Sequence, residues 1–185
     1  MLNGKHLASV DSPAFGMKAG RVSSARTFDA DVLRLFYHNP DIWGPMQCDG
    51  GLNAEELDFD ALVELSELVG SQVFVTSSIE GELVGLFMFA MENSQCYSIH
   101  SAMLPKFWGK GVASACGLSA CVWMVENTSC LKIITLVPGF NNSALAMALR
   151  AGMSIEGVNR RSFLKDGILY DQTMLGFTKE ELLCQ

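Results

Sequence analysis

Leu104-Pro105-Lys106-Phe107-Trp108-Gly109-Lys110-Gly111-Val112-Ala113 is the stretch on which the reading of this chain turns. A β-like run, Tyr97-Ser98-Ile99-His100-Ser101-Ala102-Met103, leads into it, and small and apolar residues from Ala113 to Val125 lead out in an amphipathic helical run. A glycine-spaced turn therefore sits between a strand and the first turn of a helix. There, free backbone N–H groups and the positive end of the helix dipole favour a phosphate. Gly109 and Gly111 let the backbone come close to a ligand and take angles closed to other residues. Lys106 and Lys110 add charge at the rim. The turn is not a P-loop, because no Gly-Lys-Ser/Thr follows at the required spacing. It also misses the dinucleotide fingerprint, since Ser114 stands where a third glycine would fall. Taken alone, the same glycines also suit a tight turn that binds nothing.

The chain has 185 residues, enough for one domain, and its 49% hydrophobic content can bury a sizeable core. A net charge of −7 argues against nucleic-acid binding, which needs a basic face. The six cysteines form no CxxC pair and only three histidines accompany them, so no metal site is expected and the thiols read as reduced and buried. No apolar run reaches the ~20 residues of a membrane span, and Lys5 is followed by no apolar stretch of a signal peptide. A cytoplasmic protein with no membrane partner is expected.

Along the chain, residues 1–20 read as a weakly structured lead-in and residues 21–185 as a single domain. A strand is expected at Arg21–Thr27, then a helix over Ala30–His38 capped by Asp29 and stopped by Pro40. Asn39–Met46 reads as a loop and Ala54–Val69 as a second helix. Gln72–Ser78 and Glu82–Met91 form a hairpin, and Gln95–Leu104 precedes the glycine turn. After the turn's helix come a strand, Leu131–Val137, a helix, Ser143–Ala151, and a closing hairpin, Ile155–Phe163 with Ile168–Thr178. This order predicts an α+β fold.

Trp108-Gly109-Lys110-Gly111-Val112-Ala113 resembles the phosphate-binding signature Gln/Arg-x-x-Gly-x-Gly/Ala of the GNAT superfamily of N-acetyltransferases, with Trp108 in place of Gln/Arg. Pro105 to Gly111 is most similar to the Rim-type ribosomal-protein acetyltransferase branch. Asn141-Asn142-Ser143-Ala144 through Gly152-Met153 resembles the family's Asn-led helix, and Glu156-Gly157 through Asp171 its closing hairpin. His100-Ser101 and Asn39-Pro40 resemble phage-encoded members, for which the compartment is the host cytoplasm.

The resemblance implies a mostly antiparallel, twisted and splayed sheet of about six to seven strands flanked by about four helices. It implies acetyl-CoA as co-substrate and no metal. Ala102, Met103 and Leu104 would then hold the pantetheine arm. Trp108, Gly109, Lys110, Gly111, Val112 and Ala113 would hold the diphosphate, and Asn141 the amides of the arm. The partner is an amine acceptor, a protein N-terminus or a small amine. A homodimer is the expected assembly.

The family's usual leaving-group acid, a tyrosine of the later helix, is replaced by Ala148. A thiol of pKa about 8.5 leaves tolerably without a donor. Proximity alone supplies about 7–11 kcal/mol, more than the roughly 10²–10⁴-fold of an acid or base. Ser143 is a candidate donor, with helix capping as its plain alternative. His100 is the candidate base, with a pKa of about 6.5 when unperturbed; strand parity keeps it from facing the same way as Tyr97. A core histidine is the plain alternative. Trp43 and residues 39–47 are candidates for one wall of the acceptor site, and Asp41, Asp49, Glu55 and Glu56 for drawing the acceptor in, with an ordinary solvated acidic face as the plain alternative. The rival reading is a non-catalytic, CoA-binding or structural protein of the same fold.

Overall fold

Two prolines and a run of short polar caps decide the N-terminal architecture. The structure, a computed structural model, describes residues 8–10, 22–51 and 53–184. Asp29 accepts from the Asp31 N–H and starts α1 (Ala30–Tyr37), which buries Leu33 and Phe36. The segment expected as a loop is a second helix, α2 (Pro40–Met46). Pro40 ends α1 but opens α2, because the first turn of a helix needs no proline N–H, and Asn39 caps it. The helix expected over 54–69 divides into a 3-10 turn, Ala54–Glu56, and α3 (Phe59–Val69). Asp58 accepts from the Ala61 N–H to begin α3, and Gly70, at φ 67°, ends it.

The strands are β1 (Ala8–Val10), β2 (Val22–Arg26), β3 (Gln72–Ile79), β4 (Glu82–Asn93), β5 (Cys96–Met103), β6 (Lys132–Pro138), β7 (Ser154–Lys165) and β8 (Ile168–Thr178). They make one sheet of eight strands in the order β1-β2-β3-β4-β5-β6-β8-β7. Every neighbouring pair is antiparallel except β5 with β6. Two further helices, α4 (Ala113–Asn127) and α5 (Asn142–Arg150), follow β5 and β6, and a short α6 (Lys179–Leu183) follows β8. The described residues thus hold six α-helices and eight strands, against about four and six to seven expected. Of the expected lead-in only residues 8–10 are described, as an edge strand on β2; its other residues, and Arg21, lie outside the described residues.

The sheet is buried on both faces, which is why β4 reads as an almost unbroken apolar run rather than an alternating one. Phe87 and Phe89 join Cys116, Ala120 and Met124 on one face. Leu86 and Met88 join Leu33, Phe36 and Phe59 on the other. The helix after the glycine turn was expected to be amphipathic. Instead α4 is buried round most of its circumference, including Cys116, Gly117, Ser119, Cys121 and Trp123. Its buried hydroxyls are satisfied: Ser24 Oγ lies 2.6 Å from Ser77 Oγ and donates to Ser119 Oγ at 2.9 Å, while Ser77 donates to the Cys116 carbonyl at 3.1 Å.

Gly85 lies opposite Met103 where β4 meets the end of β5. A Cβ there would stand 2.7 Å from Met103 Sδ and 3.0 Å from the Ala102 carbonyl oxygen. Gly85→Ala is expected to cost about 1–3 kcal/mol by overpacking, read as a lower midpoint of chemical denaturation with an unchanged m-value.

Candidate active site

Strands β5 and β6 run side by side only at Cys96–Lys132, Tyr97–Ile133 and Ser98–Ile134, and then part. The Leu104 N–H donates to the Val84 carbonyl at 3.0 Å. The alternation of an antiparallel ladder then turns the backbone groups of Ala102 and His100 toward β4 as well, and those of Ile99, Ser101 and Met103 toward the gap. Two of the three gap-facing carbonyls are taken by side chains. Thr135 Oγ1 donates to Ile99 (3.2 Å) and Trp108 Nε1 donates to Met103 (2.9 Å). Ser101 keeps its N–H and C=O facing the gap. Of the three residues expected to offer backbone bonds there, only Met103 faces it. Ser101 was missed because only the register reveals the parity.

The parted strands open a cleft of about 1010 Å³ that passes from one face of the sheet to the other. At one end lies the glycine turn, with Gly109 at φ 71° and Gly111 at φ 73°. Val112, the first residue of α4's cap, offers no side-chain hydrogen bond to the helix. The N–H groups of the first turn, Ala113 to Ala115, are therefore left for a ligand. Ser114 Oγ donates to the Met147 carbonyl (3.2 Å) and ties this turn to α5. Lys106 is paired with Glu82 at 2.5 Å, so its charge is partly spent. Arg150, in the last turn of α5, is the one Lys or Arg lining the cleft among the described residues, and sequence reasoning missed it.

His100, Ser143, Ala102, Met103, Trp108, Gly109, Gly111, Ala113 and Asn141 line the cleft. Leu104, Lys110 and Val112 do not: Leu104 and Val112 pack against the two cores, and Lys110 lies 5.5 Å from the centre of the Phe107 ring. Asn141 caps α5 by accepting from the Ala144 N–H (3.1 Å), so capping does not fall to Ser143, whose side chain is exposed in the first turn. Ala148 is buried in the wall of the cleft.

His100 shares the face of Ala102, whose core is that of α1 and α3, while Tyr97 and Ile99 are buried on the α4 face. The ring keeps an exposed edge, yet the surrounding protein desolvates it and lowers its pKa below the ordinary histidine value, with Glu92 acting weakly the other way. Asp41, Ile42, Pro45 and Met46 of α2 stand on this side. Trp43 does not: its ring packs 4.2 Å from that of Tyr37. Asp49 is engaged as well, its carboxylate accepting from the Asp166 and Gly167 N–H groups at 3.0 and 2.8 Å. Those bonds hold the Asp49 pKa below its usual range.

The GNAT acetyltransferase family model matches residues 43–153, more than half of the chain, from α2 through the glycine turn to the end of α5. The chain belongs to that family, which uses acetyl-CoA. Its fold is shared with a spermidine N-acetyltransferase from Vibrio cholerae solved with CoA and spermine, at 18% identity and a TM-score of 0.70 over 88% of this chain and 98% of that one. A GNAT-family acetyltransferase from Bacillus anthracis is similar at 20% identity and a TM-score of 0.65, over 89% and 98% of the two chains. So is a microcin C7 self-immunity acetyltransferase solved with acetyl-CoA and AMP, at 16% identity and 0.65 over 88% and 97%. No curated protein sequence matches the chain. None of the described helices is long and apolar enough to cross a membrane.

Trp108→Phe keeps an aromatic ring, though a smaller one, and removes the indole N–H that caps the Met103 carbonyl. The variant is expected to lose about 0.5–1.5 kcal/mol of stability, measured by chemical denaturation.

Proposed function

We propose that the chain is an acetyl-CoA-dependent N-acetyltransferase acting on a primary amine by direct attack on the thioester. One coincidence carries the reading: the uncapped start of α4, behind two left-handed glycines, opens on the same cleft as the unclaimed backbone groups of Ser101. Acetyl-CoA, when bound, supplies a thioester carbonyl to which the amine nitrogen bonds as the C–S bond breaks, the amine proton passing to a base and the sulfur leaving as thiolate.

The residues present fit such a ligand. N–H groups of Gly111, Ala113 and Ser114 donate to a diphosphate, each bond to a charged acceptor being worth about 1.5–3 kcal/mol. Arg150 adds the countercharge that Lys106 gives to Glu82. Ser101 and the Asn141 amide group hydrogen-bond the arm, and the divergence of the strands aims it through the sheet toward His100. His100 accepts the amine proton, and its lowered pKa keeps the imidazole neutral, as a base requires. Ser143 stands at the start of α5 as a hydroxyl donor for the leaving sulfur.

Gly109 has open space where a Cβ would go, so Gly109→Ala perturbs only the left-handed backbone. The variant is expected to bind acetyl-CoA about tenfold more weakly by calorimetry; an unchanged affinity would count against the diphosphate assignment.

His100→Ala is expected to lower kcat tens-fold or more at pH 7. In the parent protein kcat/KM falls as pH drops through a value below the ordinary histidine pKa, because protonation removes the base. That acid limb disappears in the variant. Retention of both rate and profile would remove His100 from the mechanism. Acetyl-CoA binding with no transfer to any amine would instead favour the non-catalytic reading.

A further inference from the structure

The side of the cleft that His100 faces has a composition of its own. Its floor is His100, one wall is α2 with Asp41, Ile42, Pro45 and Met46, and the other carries Phe163 and Gln172, whose amide oxygen is taken by Ser162 Oγ. Phe163 is backed by Phe140, with ring centres 5.9 Å apart, and Phe140 packs edge-on against Tyr170 at 4.9 Å. The walls are fastened together. Lys165 Nζ donates to the Gly44 and Gln47 carbonyls at 2.8 and 3.1 Å, and the Asp49 N–H donates to the Leu164 carbonyl at 2.9 Å. The closing hairpin and α2 are therefore a preformed enclosure rather than two independent surfaces.

Carboxylates are scarce in it. Asp41 is the one acidic residue lining the cleft among the described residues. Asp49 is committed to backbone amides of the hairpin, and Glu92, which acts on His100 through space, is not part of the lining. A polyamine brings several ammonium groups, and each one moved from water to an apolar wall without an anionic partner is strongly disfavoured. One carboxylate beside aliphatic and aromatic side chains suits a single amine on an apolar body.

We infer that the acceptor is a small primary monoamine with an alkyl or aryl body, whose ammonium is drawn in by Asp41 and whose body lies between Met46 and Phe163. The inference rests on the transferase reading above and narrows its substrate class. It sets this chain apart from the fold neighbours named for spermidine. The arriving ammonium loses one proton to solvent and the free amine attacks, its second proton passing to His100 as the C–N bond forms, so Asp41 acts on capture and His100 on turnover.

The test compares kcat/KM of the full chain with acetyl-CoA and each of phenethylamine, hexylamine, spermidine and an alanine-initiated peptide, following thiol release. The two monoamines are expected to exceed spermidine and the peptide at least tenfold. Asp41→Asn is expected to raise KM for phenethylamine about tenfold with kcat nearly unchanged, a split that a general loss of folding would not give. Met46→Glu is expected to shift the preference toward spermidine by at least tenfold. Spermidine or the peptide preferred by the parent protein would overturn the inference and leave the transferase reading standing. Absence of transfer to every amine, with acetyl-CoA binding intact, would overturn both.

Discussion

The structure turns on the parting of β5 from β6. A parallel ladder that continued past Ser98–Ile134 would fill the sheet and leave no cleft. Where it stops, Thr135 gives its hydroxyl to the Ile99 carbonyl, the acceptor that a continued ladder would offer to the next amide of β6. Further along, the indole of Trp108 gives its N–H to Met103. An unpaired backbone group away from water costs about as much as a lost hydrogen bond, so a strand can be left half open only where side chains or a ligand take over. Here side chains cap two carbonyls and leave the N–H and C=O of Ser101, between them, facing the gap. The residue that replaces Gln/Arg in the phosphate signature thus has a structural task within the gap.

The helices inherit this divergence. α4 leaves the end of β5 and α5 leaves the end of β6, so both N-termini open on the cleft. For the α4 amides to bind a ligand without reorganising, the helix must not shift on the sheet. Its lack of a polar face serves that end. The helix is buried round most of its surface, and the bonded serines at 24, 77 and 119 fix its rotation and height against β2 and β3. An apolar replacement of the serines would bury the same area without choosing one rotation of the helix.

Local chemistry made much of this legible. Asp29 caps the helix assigned to it, and Glu80-Gly81 and Asp166-Gly167 both take the left-handed angles of two-residue hairpins. The glycine turn joins strand to helix as its spacing requires. Where reading failed, a residue had two meanings or the signal was tertiary. Pro40 stops one helix and starts another, and only the stop was read. Thr178 and Glu181 form a capping box that announces α6, a signal present in the sequence but hidden behind a strong strand. Ser101 and Arg150 join the candidate site only through ladder parity and the packing of α5 on α4. Asp49, a plausible amine attractor by charge, is taken by amides of a hairpin more than a hundred positions away.

On the proposed transferase reading, the two halves of the site are made of different material. The cofactor half is mostly backbone: amides of a helix start, the edge of a strand, two glycines. Such groups are present whatever the side chains, provided the fold is kept, and the fold is kept among chains only 16–20% identical to this one. The acceptor half is side chains alone, on α2 and the closing hairpin, and each can change without disturbing the parted strands. A fold match therefore carries the cleft and its geometry from one member to another but not the amine. In this chain the acceptor half must be read from its own residues, and those are one carboxylate, one desolvated histidine and a fastened apolar enclosure. Ala148 belongs to the same logic. A leaving thiolate needs little help, so on the transferase reading a side chain without a hydroxyl at this position is compatible with transfer driven mainly by proximity.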